Sequence, residues 1–144
     1  AADCAWLTDA IWQRPIPNAD PRLAQMLARH AEAVGPPPSA LEGRVRTTLD
    51  RLLPSGHADI DHVAPQLGMS RRTLQRRLKA DGLSFRSILE QLRQARAAQH
   101  LRDPSLTLVE VALLLGYADE TAFQRAFRRW RGTSPGRWRR TQAA

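Results

Sequence analysis

A chain of 144 residues has room for one ordinary domain with a short appendage, or for two very small subdomains sharing a core, and is too short for a large enzyme. Hydrophobic residues make up 42% of it, with no apolar run near the length of about 18 needed to span a bilayer and no basic n-region followed by an apolar h-region, so a soluble, cytoplasmic protein without a membrane partner is expected. The 22 basic residues outnumber the 14 acidic ones for a net charge of +8, and the excess lies wholly beyond Ser39: three basic and four acidic residues fall up to that point, nineteen and ten after it. A basic body with a near-neutral appendage points to an acidic polymer as partner, because neutralising phosphates releases condensed counterions.

Taken in chain order, the first residues read Ala-Ala-Asp-Cys without a methionine, the look of an excerpt from a longer protein. Trp6, Trp12 and an Ala/Leu/Arg-rich helical stretch from Pro21 to Val34 lead into Gly35-Pro36-Pro37-Pro38-Ser39. That run cannot continue a helix and forms an extended connector, which sets a boundary between residues 1–38 and 39–144.

Beyond it the pattern is helical throughout, with no strand alternation. Leu41, Val45, Leu49 and Leu52 or Leu53 recur at helical spacing until Pro54-Ser55-Gly56. A short second helix is expected over about 59–67, stopped by Gly68, and Pro65 inside it predicts a late start or a kink. Ser70 is a good N-cap for a third helix over about 70–80. Ser84 can cap a long fourth one through about Arg102, with Phe85, Ile88, Leu89, Leu92 and Leu101 on its apolar side. Asp103-Pro104-Ser105 ends it. Thr107 and Glu110 have capping-box spacing for a fifth helix to Leu115, stopped by Gly116. A sixth helix is expected over about 120–131, and Ser134-Pro135 opens a last short turn through Arg140.

An internal repeat organises these elements. Val63-Ala64, Leu67-Gly68, Leu74-Gln75-Arg76 and Leu78-Lys79 return as Val111-Ala112, Leu115-Gly116, Phe123-Gln124-Arg125 and Phe127-Arg128. The offset is 48 up to the glycine and 49 after it, so the second turn is one residue longer. Each unit is a short helix, a glycine-containing turn and a second helix, which is the form of a helix-turn-helix. The expected fold is therefore all-α: two helix-turn-helix subdomains, at about 59–80 and 107–131, joined by a long central helix at about 84–102.

The second helix of each unit divides its faces in the same way. In the first, Leu74 and Leu78 form an apolar edge while Arg72, Gln75, Arg76 and Lys79 lie opposite. In the second, Ala122, Phe123, Ala126, Phe127 and Trp130 form the edge while Thr121, Gln124, Arg125 and Arg128 form the outward stripe. Arg can give two hydrogen bonds to guanine O6 and N7, and Gln can pair with adenine N6 and N7, each good pair discriminating by about 1–3 kcal/mol. Ser70, Arg71, Arg77 and Arg129 are candidate phosphate contacts. One basic helix alone reads equally well as a solvated face, but a solvated face has no reason to recur as Gln-Arg at the matching place in a second unit. The aromatic residues are read as core. Glu120 would repel phosphate, and is read as an N-terminal helix charge in preference to an acceptor for cytosine N4. A central helix of about nineteen residues spans about 28 Å at ~1.5 Å per residue. That is near one turn of B-DNA, so the two readers can enter successive major grooves about 10 base pairs apart.

The run Ala112-x-x-Leu115-Gly116-Tyr117-x-Asp119-x-x-x-Phe123-x-Arg125-x-Phe127-Arg128-Arg129-Trp130-x-Gly132-x-Ser134-Pro135 resembles the signature of AraC-type bacterial transcription regulators, and Met69-Ser70-Arg71-Arg72-Thr73-Leu74-Gln75-Arg76 matches its first unit. The resemblance covers roughly residues 40–140. It implies a two-subdomain module that binds promoter DNA in transcription regulation and touches RNA polymerase, with base-facing positions at Arg72, Gln75 and Arg76 and at Glu120, Thr121, Gln124 and Arg125. Residues 1–34 resemble, more weakly, the tail of a sensor domain, through which a small-molecule effector acts in the intact protein. Trp138 stands where such proteins usually have Tyr or Phe.

Other functions fit less well. No nucleophile elbow, glycine-rich phosphate loop or metal-ligand spacing supports an enzyme. Cys4 is the single cysteine and His30, His57, His62 and His100 are scattered, so neither a disulfide, a metal nor a cofactor is expected. A basic module that binds nucleic acid without sequence preference is the main alternative, and a protein-interaction module with an incidental basic face is the other.

Overall fold

The computed structural model describes residues 39–143, together with Arg22, Gln25 and Met26. The backbone divides into two units, Ala1–Pro37 and Pro38–Ala144. The expectations for Trp6, Trp12 and the sensor-domain tail lie outside the described residues; of the expected helical stretch Pro21–Val34 only Arg22, Gln25 and Met26 are described, and all three are helical. The second unit carries the remaining described residues. Its elements are seven α-helices, α1 (Ala40–Leu52), α2 (Ile60–Gln66), α3 (Arg71–Ala80), α4 (Phe85–Leu101), α5 (Leu108–Leu114), α6 (Glu120–Arg131) and α7 (Pro135–Ala143), with a 3₁₀ turn, Leu53–Ser55, after α1. No strand occurs among the described residues.

The helices begin where polar side chains can satisfy otherwise unpaired amides. Ser39, Asp59, Ser70, Ser84, Thr107 and Asp119 each accept from a backbone N–H in the first turn of α1 to α6. Thr107 and Glu110 close the reciprocal capping box that their spacing predicts, and backbone and side-chain hydrogen bonds from Thr107 hold the Glu110 carboxyl below its ordinary pKa. Pro65 neither delays nor displaces the start of α2, which begins at Ile60 directly after its cap. The proline falls one residue before the end, where the amide it lacks would have reached only the Asp61 carbonyl. α7 runs nine residues to Ala143, longer than the expected short turn.

Two cores form, and α4 belongs to both. Val45, Leu49, Leu53, Val63, Leu74 and Leu78 pack with Ile88 and Leu92 from the first half of α4. Val111, Leu115, Phe123 and Phe127 pack with Ala97 and Leu101 from its second half. Phe85 and Leu89, expected on the apolar side, are only half-buried against the first core. Trp138 is taken into the second core, edge-on to Phe127 with ring centroids 5.9 Å apart. Seventeen residues of continuous helix give α4 a length of about 26 Å at ~1.5 Å per residue.

Candidate nucleic-acid interface

The sequence repeat is a structural repeat down to individual hydrogen bonds. After α2, the Gly68 amide donates to the Pro65 carbonyl and the Met69 amide to Ala64, at 3.0 Å each; after α5, Gly116 donates to Leu113 and Tyr117 to Ala112, at 2.9 and 3.0 Å. Both are the 6→1 and 5→2 pair that ends a helix through a left-handed residue. Gly68 and Gly116 supply that residue, with φ of +69° and +72°. The chain is thereby turned so that α3 and α6 follow α2 and α5 at matching places, each burying one edge.

On α3 the buried edge is Leu74 and Leu78, both fully enclosed, and Arg72, Gln75, Arg76, Arg77 and Lys79 are exposed. Ser70 is occupied as the N-cap: its Oγ accepts from the Thr73 amide at 3.1 Å and donates to the Thr73 hydroxyl at 2.9 Å. Arg71 donates to Asp61 at 3.1 Å across the turn between α2 and α3, in a pair that is more than half exposed on both sides. Such a pair is weak enough for a phosphate to replace the carboxylate.

The α6 stripe is less uniform than its sequence suggests. Thr121, Arg125 and Arg128 are exposed, but Gln124 is half-buried and donates through Nε2 to Glu120 Oε1 at 2.6 Å. Glu120 is the first residue of α6, where a carboxylate favours the positive helix end. The structure thus brings Glu120 and Gln124 together as a pair and leaves Arg125 beside them without a bonded partner among the described residues. Arg129 departs from the expectation of a free phosphate contact: it donates to Glu90 of α4 at 2.9 Å, and Trp130 Nε1 reaches the same carboxylate oxygen at 3.0 Å. The Trp130 and Arg129 bonds hold the Glu90 carboxyl below its ordinary pKa.

Several residues that set the relation between the two units were not singled out from the sequence. Arg93 of α4 donates to the Leu115 carbonyl at 2.9 Å and to the Gly116 carbonyl at 3.2 Å, with its guanidinium 4.5 Å from the centre of the Tyr117 ring. Arg96 makes a two-bonded pair with Asp50 of α1, the Nε to Oδ1 distance being 2.6 Å, and this hydrogen bonding raises the arginine pKa further. A Cβ at Gly116 would lie 2.8 Å from the Leu53 carbonyl oxygen of the 3₁₀ turn, so the two units touch backbone to backbone there. A basic residue one or two turns along a helix from an apolar position was the only sequence signal available for Arg93 and Arg96, and it does not name their partners.

Two short-helix, turn, exposed-helix units on one strut, with cationic and amide side chains outward on both, define a tandem helix-turn-helix protein. A family model described as a helix-turn-helix domain matches residues 63–141. The chain belongs to the AraC-type helix-turn-helix family of transcription regulators. It is 42% identical over 127 residues to the HTH-type transcriptional regulator VirS of Mycobacterium tuberculosis, covering 88% of this chain and 37% of that protein. The chain therefore spans little more than a third of that relative's length. Among solved structures it is similar to the C-terminal domain of AraT, a response regulator from Geobacillus stearothermophilus, at 31% identity and TM-score 0.64 over 72% of this chain and 86% of that one. It is similar as well to the DNA-binding domain of the global transcriptional factor AdpA in complex with a target DNA, at 28% identity and TM-score 0.59 over 70% and 90%. Among the described residues no helix is long and apolar enough to cross a membrane.

Proposed function

We propose that residues 39–144 bind double-stranded promoter DNA sequence-specifically, with α3 and α6 entering successive major grooves on one face of the duplex. The observation that carries this reading is the exposed stripe of Arg72, Gln75, Arg76 and Lys79 on α3, matched one repeat later by exposed Thr121, Arg125 and Arg128 on α6. Arg72, Gln75 and Arg76 read the first box and Thr121 and Arg125 the second, while Glu120 and Gln124 act as a pair that presents one amide and one acceptor. Arg71, Lys79 and Arg128 hold phosphates, and Ser70, whose hydroxyl is engaged with Thr73, caps the helix that carries the first two. The AdpA domain, similar in fold, is in complex with a target DNA, which supports the polymer chosen. In the intact protein, a preceding sensor domain takes a small-molecule effector and the DNA-bound module touches RNA polymerase in the cytoplasm; residues 1–38 are the tail of that sensor and its linker. The family is one of transcription regulators and not of enzymes.

Selection of bound duplexes from a random library at near-physiological salt tests the reading. Two short boxes about one helical turn apart are expected, and replacing Arg72, Gln75 and Arg76 together by alanine should erase one box and leave the other. Enrichment of no sequence would instead favour a binder acting through charge alone.

A further inference from the structure

The stretch of α4 between the two readers carries an unused cation. Arg86, the second residue of α4, is exposed and makes no hydrogen bond or ion pair among the described residues; its charge acts on Glu90, one turn further along. It lines two clefts at once. The wider, of about 570 Å³, is walled by Arg71, Gln75 and Lys79 from α3 and by Ser84, Phe85 and Arg86 from the start of α4. The narrower, of about 140 Å³, runs between Arg86, Glu90 and Arg93 of α4 and Tyr117 and Arg129 of the second unit. Arg86 therefore stands between the two helix-turn-helix units and opens toward both.

The charges in the wider cleft do not balance. Arg71, Lys79 and Arg86 line it and no carboxylate does. Arg71 is drawn partly away by Asp61, which leaves Lys79 and Arg86 facing the cleft without an anion. Gathering like charges is unfavourable unless a polyanion is to occupy the space. If α3 and α6 occupy successive major grooves, the minor groove between them, with its two flanking backbones, faces this part of α4. That groove is about 6 Å wide. A side chain fixed in the first turn of a helix, rather than carried on a flexible arm, meets the phosphates along its rim before any base edge.

We propose that Arg86 grips a DNA phosphate in the segment between the two boxes, so that the linker helix is itself a third point of backbone attachment and not only a spacer. This rests on the reading of the chain as a two-groove DNA binder. A phosphate contact of this kind tightens binding to every sequence alike and fixes where the duplex crosses from one reader to the other.

The test uses the whole 144-residue chain, as wild type, Arg86→Gln and Arg86→Lys, titrated across a series of salt concentrations against the selected duplex and against random duplex. Arg86→Gln should weaken both by the same factor, about 3–10-fold near 0.1 M salt, and lower the slope of log K against log salt by about 0.9, while box preferences stay as they were. Arg86→Lys should keep the slope. Uncharged methylphosphonates placed singly along the spacer should remove the difference between wild type and Arg86→Gln at one or two positions between the boxes, and nowhere else. An unchanged slope and affinity in Arg86→Gln would overturn the proposal, as would a loss confined to the selected duplex with altered base preference in the spacer. Should the wild type select no sequence while Arg86→Gln still lowers the slope on random duplex, the specific reading fails and the phosphate grip stands.

Discussion

Gly68 and Gly116 occupy the same place in the two repeats and share a left-handed backbone, yet their surroundings differ. A Cβ at Gly68 meets nothing within 4 Å, whereas one at Gly116 meets the Leu53 carbonyl oxygen at 2.8 Å. Backbone preference alone costs an alanine at either site about 1–2 kcal/mol. The second site adds a clash with main chain, which cannot swing away as a side chain can, so a further ~1–3 kcal/mol is expected there. Urea unfolding of Gly68→Ala and Gly116→Ala should therefore show the second variant losing about twice as much stability or more; equal losses would mean that the contact between α5 and the 3₁₀ turn gives way freely. The repeat makes both glycines legible as turn residues. Nothing local marks Gly116 as a contact between units, because its neighbour there is more than sixty residues earlier in the chain.

At the scale of elements, α4 does two jobs through one helix. Its buried residues, Ile88 and Leu92 toward one end and Ala97 and Leu101 toward the other, close two separate cores. Their spacing departs from a single apolar stripe because each half must face a different unit, and for the same reason the sequence reading of one apolar side took in Phe85 and Leu89, which stay half-buried. α6 is clasped to α4 by Glu90, which accepts from Arg129 and from the Trp130 indole. Because those bonds depress the Glu90 pKa, the clasp contributes stability that is present above the ordinary glutamate value of 4.5 and is lost as pH falls through the lower, folded-state value. Glu90→Gln should cost about 1 kcal/mol at neutral pH, a modest figure because the Arg129 side chain is 61% exposed and solvent screens the pair. The gap between wild type and variant, followed by thermal or urea unfolding from pH 7 to pH 3, should close with acid; a gap constant across that range would sink the assignment.

For the whole module, the relation between α3 and α6 is held by contacts that belong to neither. Asp50 to Arg96 ties α1 to α4, Arg93 ties α4 to the turn of the second unit, and Gly116 lies against Leu53. Three attachments spread over the junction make it a stiff joint, not a flexible hinge between beads. On the proposed two-groove reading, a stiff pair of helices demands fixed box spacing. Adding five base pairs between the selected boxes turns one box to the opposite face of the duplex, and affinity should fall to within about tenfold of that for a duplex carrying one box. Retained affinity on the lengthened site, measured by direct titration, would show that the joint bends.

What the sequence determined by itself was whatever depends on neighbours three or four residues away or on repetition: helices α1 to α6, the capped starts of α3, α4 and α5, the two glycine turns, and the division of α3 and α6 into a packed and an outward edge. Local hydrogen bonding and the 3.6-residue period write these directly into residue types. Only the tertiary structure decided which outward side chains stay free. Arg129 and Trp130 bond to Glu90, and Arg93 and Arg96 become fastenings of the joint. An arginine presents the same donors to a carbonyl, a carboxylate or a phosphate, so its role follows from what the fold places within reach of it, and that is fixed by contacts between residues far apart in the chain.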